Sequence, residues 1–98
     1  MTIDNDLVEY LKDHHNTEEK AIKSRDLSVL FNLKSRDIRN IVTVLRQEGK
    51  PVCSSSNGYW YSEDPEDLEK TLHRMEAQVH NMSLSIAGLQ KKLLEVKR

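Results

Sequence analysis

Over the first fifteen residues the apolar positions fall about one helical turn apart, at Ile3, Leu7, Tyr10 and Leu11, with Val8 beside them. That period predicts an amphipathic helix over residues 4–15, capped by Asp4 or Asn5 and ended by the polar run from His14 to Glu19. A brief strand is expected at Lys20-Ala21-Ile22. Two further helices open on an echoed phrase, Ser24-Arg25-Asp26-Leu27 and, eleven residues later, Ser35-Arg36-Asp37-Ile38. In each, the serine hydroxyl is a candidate cap for a first-turn amide, and the aspartate suits the positive end of the helix dipole. The first helix carries Leu27, Leu30 and Phe31 and stops near Asn32, which tolerates left-handed backbone. The second places Ile38, Ile41, Val42 and Leu45 on one stripe and runs to Glu48 before Gly49 stops it. About three residues join the two, the spacing of a helix-turn-helix pair.

Beyond Gly49 the text turns strand-like, Pro51-Val52-Cys53-Ser54-Ser55-Ser56-Asn57-Gly58-Tyr59-Trp60-Tyr61. Asn57-Gly58 is a strong hairpin signal, since both residues accept the positive φ of a type I′ turn. Alternation puts Tyr59 and Tyr61 on one face and Trp60 on the other. Asp64-Pro65 then marks a helix start, with Asp64 as cap and Pro65 at the first helical position. From there Leu68, Leu72, Met75, Val79, Met82, Ile86, Leu89, Leu93 and Val96 follow an unbroken 4-3 spacing. This is a heptad with Leu72, Val79, Ile86 and Leu93 at a and the other five at d. A helix roughly 45 Å long at 1.5 Å per residue exceeds what one small core can cover, so self-association is expected. The division is a domain over 1–63 and an oligomerisation helix over 64–98.

The overall net charge of −1 conceals a strong segregation of sign. Residues 1–19 carry a net −5, residues 20–50 a net +5, residues 51–69 a net −5 and residues 70–98 a net +4. A basic block thus coincides with the two short helices. The acidic N-terminus does not resemble a signal peptide, and no apolar run approaches the roughly 20 residues of a membrane span. The single Cys53 has no partner for an internal disulfide or a zinc site. Together these favour a cytoplasmic location. His73 and His80 share the outer b position seven residues apart, not the i, i+4 spacing of a helical zinc pair. No nucleophile, base and orienting group are arrayed together and no glycine-rich phosphate loop occurs, which argues against an enzyme and calls for no cofactor.

The order helix, short strand, helix, turn, helix, hairpin over residues 4–62 resembles the winged helix-turn-helix family. Within it, the chain is similar to small regulators of phages and mobile elements that carry a C-terminal helix. The resemblance implies a mainly α fold with a small β-hairpin, a winged helix-turn-helix followed by a long coiled-coil helix. It also implies that the helix beginning at Ser35 enters the major groove of double-stranded DNA. Independently, Arg36, Asn40, Thr43 and Gln47 cluster opposite the apolar stripe of that helix with Arg39 at their flank. Arginine can pair bidentately with guanine, and asparagine or glutamine with adenine. Lys34, Ser24, Arg25 and Lys50 would position the phosphate backbone, and the amide end at Ser35 could hold a phosphate, with Asp37 opposing.

The hairpin tip departs from the family pattern. It has no lysine or arginine, so a weak wing contribution is expected, and this favours a rival reading in which the scaffold docks a protein partner. A third reading, an inhibitor that mimics DNA through its acidic ends, conflicts with the +5 block. The leading expectation is a sequence-specific regulator of transcription or replication acting as a dimer, with a tetramer of antiparallel dimers as the alternative. β-Branched Val79 and Ile86 at a favour parallel packing, while the acidic start and basic end of the helix favour antiparallel, leaving the orientation open.

Overall fold

A computed structural model describes residues 3–97. The order is α1 (Ile3–His14), a 3-10 turn (Glu18–Lys20), α2 (Ser24–Phe31), α3 (Ser35–Gln47), β1 (Val52–Ser55), β2 (Gly58–Tyr61) and α4 (Pro65–Val96). The protein is mainly helical, with a two-stranded antiparallel sheet and a long C-terminal helix. Three residues of α1, Leu7, Val8 and Leu11, meet Leu27 of α2, Ile38, Val42 and Leu45 of α3, and Val52 of β1 in one core. Tyr59 and Tyr61 pack against that core from β2, as alternation required. Trp60 is buried on the other face, and its Nε1 donates to Asp67 of α4 at 3.3 Å.

Several local expectations shift. Helix α1 begins at Ile3, so Asp4 and Asn5 lie within its first turn and do not precede it. Lys20 belongs to the 3-10 turn, and of the expected strand Ile22 alone pairs, through one bridge to Tyr59 with bonds of 2.9 and 2.8 Å. Ser24 and Ser35 are the first helical residues, one position too late to cap. The cap positions fall to Lys23 and Lys34, both extended and both without a side chain able to accept a hydrogen bond. For α3 the reciprocal half of a capping box survives, because Asp37 accepts from the Lys34 backbone N–H at 3.3 Å. Leu30 stands 57% exposed. The grip on the core comes instead from Leu27 and Phe31, one turn apart on the two-turn α2, and from Leu33 in the following turn. Asn32 does adopt the left-handed conformation, with φ 54°.

The hairpin turn also differs. Ser55 pairs with Gly58, so the two turn residues are Ser56 and Asn57, and among the described residues Asn32 is the sole non-glycine with positive φ. Asn57 is thus not in a type I′ turn, and the positive backbone angle falls on Gly58 alone, at φ 124°. A Cβ at Gly58 would overlap the Ile22 carbonyl and sit 2.9 Å from the Lys23 nitrogen. The close approach of the Ile22 segment to β2 therefore demands glycine here.

Helix α4 starts as its sequence signals. Asp64 Oδ1 accepts from the Glu66 N–H at 3.0 Å and Pro65 occupies the first turn. Its base belongs to the packed unit: Thr71 is buried, and Leu68 and Met75 are half-buried. Beyond them the heptad runs uncovered, with Leu72, Val79, Met82, Ile86, Leu89, Leu93 and Val96 each at least half exposed. No helix among the described residues is long and apolar enough to cross a membrane.

Gly58→Ala should destabilise the fold by about 1–3 kcal/mol, since it combines an unfavourable backbone angle with a clash against main chain that cannot swing away. Urea unfolding followed by Trp60 fluorescence reads this. An unchanged midpoint would mean that the Ile22 bridge is dispensable.

Candidate nucleic-acid interface

Helix α3 is fixed from two sides. Its apolar stripe is sunk in the core, and Arg46, on its flank, reaches β1. Arg46 Nε donates to the Val52 carbonyl at 2.8 Å, and its terminal nitrogen donates to Ser54 Oγ, also at 2.8 Å. Burial pulls this guanidinium below its ordinary pKa, and the neighbouring Arg74 adds to the effect, yet arginine keeps its charge throughout the accessible range. From α4, Thr71 Oγ1 accepts the Ser54 N–H at 3.3 Å. Asp67 takes Ser62 Oγ at 2.8 Å in addition to Trp60. Cys53 lies fully buried beneath this junction, and burial pushes its thiol up, which suits a packing role.

With α3 held in this way, its outer face can be surveyed. Arg36, Arg39 and Asn40 are exposed, as is Lys34 before the helix. The two ion pairs among the described residues are Arg25 with Asp26 at 3.8 Å and Lys92 with Glu95 at 3.7 Å, so no carboxylate stands within ion-pair distance of the Lys34, Arg36, Arg39 or Lys50 side chains. Arg25 is thus the one expected phosphate contact with a partner, and a loose one. Asp37 turns its carboxylate to the Lys34 N–H, which occupies part of the amide end expected to hold a phosphate. The Thr43 hydroxyl donates to the Arg39 carbonyl at 3.0 Å and retains only acceptor capacity for a base.

The expected contact residues divide between two clefts and an open surface. A cleft of about 550 Å³ lies between the C-terminal half of α3, β1 and the base of α4. Thr43, Gln47 and Lys50 line it opposite Leu68, Leu72 and Met75, so it is largely apolar. A second cleft, of about 380 Å³, opens between the start of α2, α3, the hairpin and α4. Ser24 and Arg39 line this one, together with Lys23, Arg46 and Arg74. Lys34, Ser35, Arg36 and Asn40 belong to neither cleft and form the open surface at the N-terminal half of α3.

Sequence reasoning did not single out Lys23, Arg46 or Arg74 as site residues. Arg46 lies on the flank of the apolar stripe, where helical period alone cannot tell a staple from a surface charge. Arg74 comes from an element assigned wholly to oligomerisation. Among the described residues no cluster of histidine, cysteine and carboxylate side chains could hold a metal ion. His73 and His80 are exposed on α4; His15 is half-buried, with Nδ1 placed 2.6 Å from the Lys20 carbonyl. Compared with protein-family models, with curated proteins and with solved structures, the chain finds no match in any of the three.

Arg46→Ala should lower stability by about 1–3 kcal/mol, because it leaves the Val52 carbonyl without its partner in a part-buried setting. The expected result is a lower urea midpoint with an unchanged denaturant slope. A midpoint equal to that of the parent would show Arg46 to be a surface charge and not a staple.

Proposed function

We propose that the chain is a winged helix-turn-helix protein that binds duplex DNA sequence-specifically as a homo-oligomer, in the manner of a transcriptional or replication regulator. The observation that carries this reading is the exposed N-terminal half of α3, where Arg36, Arg39 and Asn40 stand with Lys34 and none of the cations is ion-paired. Such side chains carry the donor and acceptor patterns that discriminate bases in the major groove. The single bridge at Ile22, α2, α3 and the hairpin follow one another in the order the fold requires. The C-terminal half of α3 lies beside α4, so base reading is assigned to Arg36, Arg39 and Asn40, with Thr43, Gln47 and Lys50 at the margin.

Association runs along α4. Its uncovered seam begins at Leu72, and an antiparallel register that sets Leu72 against Val96 and Val79 against Leu89 of a second copy uses every seam residue from that point on. The same register sets Glu76 opposite Lys92 with Lys91 beside it, and it opposes the two helix dipoles favourably. Two recognition helices in one particle would convert modest, salt-sensitive single contacts into useful affinity.

The apolar cleft beside Leu68 and Leu72 supports a second reading, in which this scaffold docks a protein partner. An electrophoretic shift of random duplex at low salt separates the two, because sequence-independent phosphate attraction alone suffices to retard a DNA-binding protein there.

Replacing Arg36 and Arg39 by alanine together should weaken specific duplex binding by about 1–3 kcal/mol per base-contacting residue. His73→Ala and His80→Ala, on the outer face of α4, should leave it unchanged. Equal duplex affinity in the double arginine variant and its parent would remove the DNA reading.

Val79→Asp with Ile86→Asp should yield monomers in sedimentation velocity while leaving the base of α4 intact. Truncation after Asp67 is a poorer test, because it also removes the Thr71 contact to Ser54. A parent chain that is already monomeric at tens of micromolar would overturn the assembly.

A further inference from the structure

We propose that the polar cleft between α2, α3, the hairpin and α4 is a phosphate-binding site. Four cationic side chains converge there from three directions: Lys23 ahead of α2, Arg39 and Arg46 on α3, and Arg74 on α4. No carboxylate lines the cleft. Like charges brought together without a counter-ion repel, and partial burial of Arg46 removes solvent screening from the cluster. An anion placed among them relieves that repulsion. Electrostatics alone would admit any anion, and the arrangement of donors narrows the class.

On the hairpin side, Ser54, Ser55 and Ser56 add three hydroxyls to the wall. Two are already engaged, Ser54 Oγ accepting from Arg46 and Ser55 Oγ from the Asn57 N–H, and each retains its own hydrogen to donate. The start of α2 forms another wall, and its cap residue, Lys23, offers no side-chain acceptor to the first-turn amides. Donors therefore approach from helix, hairpin and α4 at wide angles to one another. A planar carboxylate is satisfied by one or two arginines in its plane, whereas a tetrahedral group with several terminal oxygens uses donors spread in three dimensions. At about 380 Å³ the open cleft accommodates a phosphate that carries a substituent.

This site adjoins the outer face of α3 and shares Arg39 with it, while its other cations, Lys23, Arg46 and Arg74, lie outside that face, so it does not depend on the DNA reading. Its phosphate has two possible sources, a phosphodiester of duplex DNA or a free phosphorylated compound. In either case Arg74 would couple ligand binding to the helix that carries the oligomerisation seam.

The test uses the full chain labelled with nitrogen-15 and titrated with inorganic phosphate, against chloride at equal ionic strength. Saturable shifts are expected at the Ser54–Gly58 amides and at the arginine side-chain resonances. Lys23→Gln and Arg74→Gln, both exposed positions, should each weaken binding by about tenfold, the effect of losing one charge-assisted hydrogen bond. Shifts that never saturate, or that persist unaltered in Arg74→Gln, would overturn the site. A second arm identifies the source. A DNA phosphate requires Arg74→Gln to weaken binding alike across duplex sequences and to reduce the dependence of log affinity on log salt by about one unit. A free ligand requires duplex binding to be indifferent to Arg74→Gln while ATP, as a polyphosphate probe, binds more tightly than inorganic phosphate and loses that binding in the variant. Arg36→Ala serves as the separate gauge of the α3 face, since Arg36 does not line the cleft. Duplex binding lost in Arg36→Ala with phosphate titration intact leaves the site standing; duplex binding intact with no phosphate response overturns the site and leaves the α3 reading in place.

Discussion

Strand β1 has one edge paired to β2 and one edge facing outward, and the polar groups on that outward edge must find partners for the hairpin to be stable. The Val52 N–H donates to the Lys50 carbonyl, the Val52 carbonyl accepts from Arg46, and the Ser54 N–H donates to Thr71. Two helices, α3 and α4, are thereby tied to one strand. Arg46 fixes the rotation of α3 relative to the hairpin, and so determines which side chains of α3 face outward. Thr71 fixes the root of α4, and so determines where its uncovered seam points. Without these contacts β1 would present an open edge to other chains, and the angle between the outer face of α3 and the long helix α4 would be unset.

Much of this architecture was legible because it rests on local, periodic signals. The heptad of α4, the Asp64-Pro65 start, the left-handed Asn32 and the placing of Tyr59 and Tyr61 on the face of β2 opposite Trp60 each follow from residues close in sequence. The misplaced features depend on contacts between distant segments. Asn57-Gly58 satisfies the rule for a type I′ turn, yet the approach of Ile22 to β2 makes Gly58 the residue that must take the positive angle, and this shifts the turn by one position. Ser24 and Ser35 look like caps in the text, and only the helix boundaries reveal lysine at the capping position. Leu30 falls on the apolar side of its helical wheel, but a helix of two turns presents too little surface to bury all three of its large residues.

The site was legible in the same graded way. Arg36, Arg39 and Asn40 stand exposed where a helical wheel places them. Thr43 and Gln47 were grouped with them by period and Lys50 as a cation near the hairpin; these three are exposed too, but they line the apolar cleft beside α4. The polar cleft could not be inferred from sequence, because its cations are drawn from positions 23, 39, 46 and 74, and no spacing rule joins them. Charge segregation hinted at it only as a basic average over the central third of the chain.

Lys23 and Lys34 hold the positions where α2 and α3 begin, and a cation there is doubly adverse. It supplies no acceptor to the first-turn amides, and it sits at the positive end of the helix dipole. Serine or aspartate at either place would stabilise its helix by about 1 kcal/mol. Two successive helices thus carry the same departure from the stability optimum. At α3 the Asp37 carboxylate, bonded to the Lys34 N–H, offsets part of that cost, so α2 is the helix whose first turn is held less firmly.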